Sequence, residues 1–599
     1  MNKTCKNHES SKVFWRTIYN FFVNKNEHTN NSRFNKKENS LDNSLLPLPV
    51  SVDKYIEAVS EYYYVDKTLL IKELIDNKAK LTLFTRPRRF GKSLNMDMLK
   101  VFFEKTNEDT SIYFKNKKIW ACGKKYQEHQ GKCPVIYLTF KDIKSQTWSV
   151  TYEKICLLLR DEFLRHKEVL SSSILDTIEK TDIQKIISLT ATQALLENSL
   201  FILSKALYDH YGVEPVVIID EYDTPIQQGY IYGFYNKIIE FMRNFYSKGL
   251  KGNSYVKQSF ITGILRVAKE SIYSGFNNPD INTTFDEMYS QYFGFTSDEV
   301  KEMLKYYGYE DKYQEICEWY NGYCFGNTEI FNPVSLVFCL HKGCKMKEYW
   351  VNTSSNDIIG KLLDYTTINI YDNLCQLLQG KTINMHINPD FVYPQLEKNP
   401  LLIFTLLVST GYLKVVHQED SSRGGYQCDL AVPNKELFIV FNNEIVEKLN
   451  DINDIDFVWS IKDIITSGDA HLLQKTLEKF LLRSASFHDT EERFYHGVLL
   501  TLCVMSNNSY EVTSNREAGL GRYDIAMVPK KNNLPGILME IKISKQEENL
   551  EKLAIESLDQ IEEKQYDSVM KQKDIKQVFK YGIAFCGKNV AIKTIETKL

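Results

Sequence analysis

Two groups of residues in this sequence have the types and spacing that phosphate chemistry requires. The first group is FTRPRRFGKS at 84–93, which ends in Gly91, Lys92 and Ser93 and precedes the helix-like stretch NMDMLKVFFEK. In a phosphate loop, backbone N–H groups at a helix N-terminus bind the anion, a lysine reaches the terminal phosphates, and a serine hydroxyl binds Mg²⁺. The pattern therefore predicts a nucleotide-binding loop.

The loop departs from the common pattern GxxxxGK[ST] at its first glycine. Arg86 occupies that position, and Arg88 and Arg89 follow closely. Arginine disfavours a left-handed backbone, so we expect a different loop shape near residue 86. The three guanidinium groups also place positive charge where phosphates would lie, and each can bind phosphate through two hydrogen bonds. The alternative is a basic strand-to-helix turn without a ligand.

The acids that a phosphate site requires occur in EPVVIIDEYD at 214–223. Its unbroken apolar run is typical of a strand buried on both faces of a parallel sheet. At the end of the strand, Asp220 would bind Mg²⁺ together with Ser93, and Glu221 would polarise an attacking water. A further predicted strand at 135–140 lies between the two elements along the chain. We therefore expect ATP and Mg²⁺ as cofactors, with ATP hydrolysis as the reaction.

The second group lies near the C-terminus, in GRYDIAMVP and GILMEIKI. Asp524 and Glu540 lie on consecutive predicted strands, and Lys542 follows the glutamate by two residues. Alternate side chains of a strand share a face, so Glu540 and Lys542 point the same way, and a turn at KKNNLPG would place Asp524 across from them. Two carboxylates bind Mg²⁺ or Mn²⁺, and a lysine can orient or help deprotonate a water that attacks a phosphodiester. The alternative is an acidic pair on a solvated face.

Other polar residues of the C-terminal segment are candidates for the same site. Glu492, in TEERFYHG, would supply a further metal ligand from the first helix. Gln560 and Lys564 lie four residues apart on one face of a predicted helix behind the sheet. The roles of two residues stay open. Glu517 is either a metal ligand or a solvated loop acid, and His496 is either a packed, hydrogen-bonding histidine or a general base.

The elements that must position the first group alternate between strands and helices. Predicted strands lie at 80–85, 133–140, 214–223 and 259–267, and helical stretches lie at 66–78, 151–170, 184–210 and 235–248. Such alternation predicts a doubly wound α/β domain around a parallel sheet. From 296 to 470 the pattern becomes mostly helical.

The C-terminal segment predicts a second, smaller α/β unit. Its helices are expected at 472–483, 491–505 and 546–564, and its strands at 509–515, 522–529, 536–543 and 578–586. The chain thus divides into a polar, disordered extension, an α/β domain, a helical region and a C-terminal α/β unit, at 1–50, 51–295, 296–470 and 471–599.

Composition limits the remaining possibilities. A chain of 599 residues predicts several domains, and its net charge of −3 gives no overall attraction to nucleic acid or membranes. The 12 cysteines include no CxxC pair, and we find no cleavable signal peptide, so we expect a reduced, intracellular protein, cytoplasmic or nuclear and not secreted. No apolar run reaches the length of about 18 residues that a transmembrane helix needs.

Several stretches resemble a known family. VDKTLLIKELI, FTRPRRFGKS, VVIIDEYD and FITGILRVAKESIYSG resemble the AAA-ATPase-like domain, a P-loop NTPase that occurs fused to a PD-(D/E)xK nuclease-like tail, and SNREAGLGRYDI and DQIEEKQY resemble that tail. The resemblance extends from about residue 51 to the C-terminus. It implies that arginines in the phosphate loop are usual in the family and that Thr262 lies on a sensor strand beside the nucleotide. Arg266 would then touch the γ-phosphate, or else form a surface ion pair.

We therefore expect an ATPase coupled to a metal-dependent nuclease module that acts on nucleic acid, on DNA rather than RNA, and oligomers are compatible with this expectation. The alternative is a regulatory or scaffolding ATPase whose tail binds nucleic acid or a partner without cutting. The near-neutral charge favours that alternative, because binding to the phosphate backbone needs clustered lysine and arginine.

Overall fold

The computed structural model describes most of the chain from residue 45 onward. The described residues are 45–266, 279–350, 370, 373–374, 376–377, 380–422, 424–441, 463–484, 495–496, 499–500, 502–503, 509–531, 534–544, 546 and 549–599. Most of the predicted extension at 1–50 and much of the predicted helix at 491–505 lie outside this set. Among the described helices, none combines the length and hydrophobicity that crossing a membrane requires.

One compact unit runs from Pro47 to Leu599 and so begins slightly before the predicted boundary at residue 51. Leu48 is buried in a core that includes Val300 and Met303. The N–H group of Tyr63 donates a hydrogen bond of 2.9 Å to the carbonyl oxygen of Pro47. Burial of the Leu48 side chain thus ties the end of the predicted extension to the folded chain.

Five short strands form the parallel sheet that the sequence predicts. They are β1 (Leu81–Thr85), β2 (Val135–Thr139), β3 (Val216–Asp220), β4 (Gln258–Gly263) and β5 (Asp280–Asn282). The order across the sheet is β2-β3-β4-β1-β5, and all neighbours are parallel. Every residue of β1 and β3 is buried, which explains their unbroken apolar runs.

Strand β4 lies between β1 and β3 and determines how their ends meet. Thr85, at the end of β1, pairs with Gly263, and Ile219, just before Asp220, pairs with Ile261. Because the strands are parallel, the segments after β1, β3 and β4 all begin at the same end of the sheet, where the carboxyl ends of the strands lie. The phosphate loop at 84–93 and the turn formed by DEYD at 220–223, called the DEYD turn below, therefore lie at the same end of the sheet.

Helices connect and surround these strands. They are α1 (Tyr55–Glu61), α2 (Leu69–Asn77), α3 (Lys92–Phe103), α4 (Lys118–Ala121), α5 (Lys124–Gln127), α6 (Trp148–Arg165), α7 (Thr177–Ile187), α8 (Gln193–Glu197), α9 (Ser199–Tyr211), α10 (Thr224–Tyr232) and α11 (Tyr235–Leu250). The predicted helical stretch at 184–210 is interrupted. Leu189 adopts a left-handed backbone (φ 60°), and the Thr192 hydroxyl caps a new helix.

The region predicted to be mostly helical, 296–470, also contains β-structure, which corrects that prediction. Its helices are α12 (Ser297–Tyr307), α13 (Tyr313–Tyr320), α14 (Pro333–His341), α15 (Gln395–Lys398) and α16 (Leu402–Thr410). The strands in and next to it are β6 (Phe295–Thr296), β7 (Tyr323–Phe325), β8 (Thr328–Phe331), β9 (Ile383–Ile387), β10 (Lys414–Asp420) and β11 (Tyr426–Ala431). They form two antiparallel sheets, β6-β8-β7 and β10-β11-β9. Strand β10 exposes most of its side chains, so no apolar run marks it.

A five-stranded mixed sheet forms the core of the C-terminal unit. Its strands are β12 (Tyr510–Ala518), β13 (Gly521–Pro529), β14 (Gly536–Ile543), β15 (Gln577–Cys586) and β16 (Asn589–Lys598), with helices α17 (Ala470–Ser484), α18 (Leu550–Glu563) and α19 (Ser568–Lys571). The strands lie in chain order; β14 and β15 are parallel, and the other neighbours are antiparallel. The sequence did not predict β16, whose last residues are largely exposed.

Helix α18 packs directly against the sheet of the C-terminal unit. At Gly582 of β15, an added Cβ atom would overlap the carbonyl oxygen of Ala554 in α18. The absence of a side chain at this position therefore permits the close approach of helix and strand. Leu558 and Ile561 of α18 pack with Leu538 of β14, so the helix covers that face of β14.

Candidate functional site

The loop between β1 and α3 carries the predicted phosphate-binding residues. Gly91, at the start of α3, has a left-handed backbone (φ 78°), and so does Arg89 (φ 73°). The first N–H groups of α3 lack partners within the helix, which suits them to bind an anion. Lys92 Nζ folds back and donates hydrogen bonds to the carbonyl oxygens of Arg86 (3.0 Å) and Pro87 (2.7 Å).

Lys92 lies in a buried, acidic environment. Its side chain is almost inaccessible to water, and this burial lowers the pKa of its ammonium group. The charges of Glu221, Asp220 and Asp223 act in the opposite direction. A cation shielded from water attracts an incoming anion more strongly than an exposed cation does.

Asp220 connects the phosphate loop to the central strands. Its carboxylate accepts hydrogen bonds from Ser93 Oγ (2.7 Å, at Oδ2) and Thr262 Oγ1 (2.5 Å, at Oδ1). Burial and the neighbouring charge of Glu221 raise the pKa of Asp220, whereas the two hydroxyl groups act to lower it. The structure therefore brings together three residues that the sequence placed on separate elements.

Glu221 follows Asp220 with an unusual backbone. Its φ of 53° is left-handed, a conformation that costs free energy in residues other than glycine and is often found at functional sites. The Thr224 hydroxyl donates a hydrogen bond of 3.1 Å to Glu221 Oε2, and the Glu221 N–H group donates to Thr262 Oγ1 (3.3 Å). The side chain is half-buried, so its carboxylate keeps access to water.

The position of Arg86 corrects its predicted role as a phosphate contact. Its buried guanidinium group donates from Nη1 to the carbonyl oxygens of Thr85 and Asn282, both at 2.9 Å. The group also lies over the rings of Phe293 (5.1 Å) and Phe325 (5.5 Å), and burial lowers its pKa to about 9. The side chain therefore connects β1 to β5 and lies too deep to reach a ligand.

The other two arginines of the loop are more accessible. Arg88 is half-buried, and its Nη2 donates a hydrogen bond of 3.1 Å to Gln227 Oε1. Arg89 is exposed and lies close enough to Glu221 for their charges to interact. Their contact with phosphate remains a prediction.

Arg266 forms an ion pair with the middle region. Its Nη1 lies 2.6 Å from Asp390 Oδ1, in the segment after β9. This arrangement agrees with the second interpretation of Arg266, and a contact with the γ-phosphate stays a prediction. Sequence reasoning did not identify Asp390, because no local pattern connects it to Arg266.

Asp223 is a second residue that sequence reasoning missed. Its buried Oδ2 accepts hydrogen bonds from the N–H groups of Ile264 and Leu265, both at 2.9 Å. Asp223 thus fixes the segment after β4 to the DEYD turn. The signal in the sequence was that DEYD contains a third acid, Asp223. A buried acid needs nearby hydrogen-bond donors, so this position indicates a structural contact.

In the C-terminal unit, Asp524 and Glu540 lie on adjacent strands. The antiparallel register pairs Ile525 with Met539, so Asp524 and Glu540 occupy the next opposing positions of β13 and β14. Asp524 Oδ2 accepts a hydrogen bond of 2.7 Å from the N–H group of Ile541. A side chain of β13 therefore bonds the backbone of β14 just beyond the last paired residues, Ile525 and Met539.

Glu540 and Lys542 share the face of β14 that α18 covers. Glu540 is buried, and the side-chain amide of Gln560 in α18 donates a hydrogen bond to its Oε1. Lys542, two residues further along the strand, has the same orientation by alternation and is half-buried. The predicted position of Gln560 behind the sheet is confirmed by this contact.

The structure also places two neighbours of this site. His496 Nε2 lies 3.1 Å from Ser514 Oγ and 3.2 Å from the carbonyl oxygen of Asp524, as expected for a hydrogen-bonding histidine. Glu517 lies in strand β12, not in a loop, and is exposed in register with Arg522.

Comparison with known families gives a match for the α/β domain around the parallel sheet and a match for the C-terminal unit. Residues 49–273 match the family described as predicted AAA-ATPase, and residues 490–595 match the PD-(D/E)XK nuclease superfamily. The chain joins an AAA-ATPase-like domain to a PD-(D/E)XK superfamily domain. A protein of Azotobacter chroococcum mcd 1, described as an uncharacterized protein in the vnfD 5′ region, is 26% identical over 319 residues. The match covers 53% of this chain and 56% of that relative, so the chain spans little more than half of the relative's length.

The AAA-ATPase-like domain has residues that fit a magnesium–nucleotide complex. The Ser93 hydroxyl and the Asp220 carboxylate are the hard oxygen donors that Mg²⁺ prefers. Within the described ranges, no three His, Cys, Asp or Glu side chains form a metal cluster. This finding is compatible with a nucleotide site, because Mg²⁺ there takes most of its ligands from phosphates and water.

The PD-(D/E)XK domain offers two carboxylates of the type that binds Mg²⁺ or Mn²⁺. One oxygen of Asp524 accepts the Ile541 N–H, and one oxygen of Glu540 accepts the Gln560 amide. Glu492, the predicted further ligand, lies outside the described residues. The residue types therefore fit a hard cation.

Proposed function

We propose that the AAA-ATPase-like domain binds and hydrolyses ATP with Mg²⁺. The observation that carries this proposal is that Ser93, Asp220 and Thr262 meet at the carboxyl end of the parallel strands. The buried Lys92 lies beside them, at the start of α3. When ATP binds, Lys92 gives up its two hydrogen bonds to loop carbonyl oxygens and forms hydrogen bonds to the terminal phosphate oxygens. The N–H groups at the start of α3 bind the same anion.

Glu221 is the proposed general base for hydrolysis. Its carboxylate is half-buried, and the hydroxyl of Thr224 holds one of its oxygens. It orients the attacking water and accepts its proton, while Thr262 keeps the neighbouring Asp220 in place. Ser93 and Asp220 would hold Mg²⁺, and the bound cation would stabilise charge on the phosphate oxygens.

We propose further that the PD-(D/E)XK domain cleaves phosphodiester bonds in nucleic acid, with DNA as the expected substrate. This step rests on the adjacent positions of Asp524 and Glu540 and on the shared face of Glu540 and Lys542. The two carboxylates would hold the cation, which stabilises charge on the phosphodiester. Lys542 orients the attacking water, and Gln560 fixes the carboxylate of Glu540.

A test of both activities uses the purified full chain. ATP hydrolysis is followed by phosphate release with Mg²⁺. Cleavage is followed on single- and double-stranded DNA and RNA with Mg²⁺ or Mn²⁺, and EDTA serves as the control. We expect phosphate release, together with DNA cleavage that EDTA abolishes. Absence of phosphate release would reject the proposed ATPase activity, and absence of metal-dependent cleavage would reject the proposed nuclease activity.

A second candidate function is nucleic-acid or partner binding without cleavage, under control of the ATPase domain. It is favoured by one observation: Asp524 and Glu540 both accept hydrogen bonds within the protein, a structural use of these acids. In the same experiment, retention of DNA by the protein without any metal-dependent product would support this function over nuclease activity.

A further inference from the structure

A segment of the middle region lies against the candidate nucleotide site. It follows β9 and includes Asp390, which pairs with Arg266 at 2.6 Å, and Tyr393. The Tyr393 ring stacks on Tyr230 of α10, with ring centroids 5.2 Å apart. Burial and the charge of Asp223 raise the pKa of the Tyr393 hydroxyl. The segment therefore lies next to the DEYD turn.

The backbone that precedes Arg266 is held against the DEYD turn. Asp223 accepts the N–H groups of Ile264 and Leu265, and the Tyr222 hydroxyl donates a hydrogen bond of 2.8 Å to the Leu265 carbonyl oxygen. These contacts fix the backbone just before Arg266 relative to the site. The flexible part is the arginine side chain, which can change partner by rotation about its own bonds.

The ion pair of Arg266 is suited to exchange. Its two side chains are 31% and 36% exposed, for Arg266 and Asp390, so water can solvate each group when the pair opens, although the Asp390 Oδ1 atom of the contact is itself buried. A γ-phosphate carries more negative charge than a carboxylate and can accept two guanidinium hydrogen bonds. ADP lacks this group. A partner exchange at Arg266 would therefore distinguish ATP from ADP.

We propose that Asp390 is a specificity-determining residue, which holds Arg266 when ADP or no nucleotide is bound and releases it to the γ-phosphate of ATP. This inference rests on the proposed nucleotide-binding function and on the expected closeness of Arg266 to the γ-phosphate. Its immediate consequence is that the segment after β9 loses one contact to the ATPase-like domain when ATP binds.

The exchange also affects strand β9, which precedes Asp390 along the chain. Asp390 follows β9, and Lys381 precedes it. Burial and the charge of Arg516 in β12 lower the pKa of Lys381. Strand β9 is at the edge of its sheet and pairs with β11. Release of Asp390 would remove a contact next to this edge strand and so loosen it.

Nucleotide binding to three variants of the full chain tests the proposal. Asp390→Asn removes the charge and keeps the shape; we expect it to tighten binding of a non-hydrolysable ATP analogue about three- to fivefold and to leave ADP affinity unchanged. Arg266→Ala should weaken binding of the analogue and not that of ADP. Glu419→Gln, an exposed acid in the sheet of β9, should change neither affinity.

Opposite effects of the two ion-pair variants are the decisive result. A purely structural ion pair would give shifts in the same direction when either side is removed. As a second readout, amide hydrogen exchange of β9 should be faster with the ATP analogue than with ADP in the wild type, and equal with both nucleotides in Asp390→Asn.

Two outcomes contradict different claims. Shifts in the same direction, or no shift in Asp390→Asn, would overturn the inference while nucleotide binding stands. If the wild type binds neither nucleotide saturably, the proposed nucleotide-binding function itself is wrong.

Discussion

The Ser93 hydroxyl donates a hydrogen bond of 2.7 Å to the Asp220 carboxylate, although 127 residues separate them along the chain. Ser93 lies in the first turn of α3, the helix after β1, and Asp220 ends β3. The hydroxyl of Thr262, on the intervening strand β4, bonds the second oxygen of the same carboxylate. Strands β3 and β4 and the helix after β1 thus bring one polar group each to a single point.

Replacing Lys92 by alanine should weaken ATP binding about 10- to 100-fold, because it removes a charge-assisted contact to phosphate. Isothermal titration calorimetry with ATP and Mg²⁺ measures the affinity. Lys100→Ala, in the same helix α3, is the matched control and should bind ATP as the wild type does. Unchanged affinity in Lys92→Ala would reject the phosphate-loop assignment.

Replacing Glu221 by glutamine should leave ATP binding intact and reduce hydrolysis about 100- to 10,000-fold, since an amide cannot accept the proton of the attacking water. Phosphate release at saturating ATP measures the rate. The control is Glu240→Gln, an exposed acid on α11. Hydrolysis at the wild-type rate in Glu221→Gln would assign the general base to another group.

Replacing Asp524 by asparagine should reduce metal-dependent cleavage at least about 100-fold, because the amide is a poor substitute for an anionic metal ligand. ATP binding should be unaffected, as the residue lies in the other domain. Gel analysis of DNA products with Mn²⁺ measures the cleavage, and Glu511→Gln on the exposed side of β12 is the control. Persistent cleavage by purified Asp524→Asn would contradict the assigned site.

Glu436 should make the stability of the chain depend on pH. The side chain is buried and accepts hydrogen bonds from the N–H groups of Tyr349 (2.7 Å) and Trp350 (2.9 Å). Burial raises the pKa of its carboxyl group from 4.5 to about 7. The folded state therefore keeps a proton that the unfolded chain loses above about pH 4.5, and this stabilising contribution is lost as the pH rises through about 7.

Replacing Glu436 by glutamine removes this dependence. The variant should match the wild type near pH 5 and be more stable at about pH 8, by at most roughly 3 kcal/mol. Urea unfolding at a series of pH values measures the difference, with Glu348→Gln, an exposed neighbour, as the control. An equal pH dependence in wild type and Glu436→Gln would show that the buried carboxyl group does not titrate as described.

Local sequence was sufficient to identify the elements that carry chemistry. Apolar runs predicted β1, β3 and β14, because strands buried on both faces exclude polar residues almost throughout. The residues Lys92, Ser93 and Asp220 were recognisable because their types and spacing are those that phosphate and Mg²⁺ need. The strands of the middle region were missed, because the exposed residues of β10 carry no apolar signal.

Tertiary structure decided which side chains meet. Along the chain, β2 lies between the phosphate loop and the DEYD turn. In the sheet, however, β4 separates β1 from β3, and β2 is an outermost strand. Arg86 and Arg88 are two residues apart, but one is buried against Phe293 and the other is half-buried beside Gln227.

The ion pair of Arg266 with Asp390 likewise joins residues that no local pattern relates. Residue type and spacing determine what a short segment can do chemically. Its partners depend on strand order and on packing between distant segments, which are set by the free energy of the whole fold.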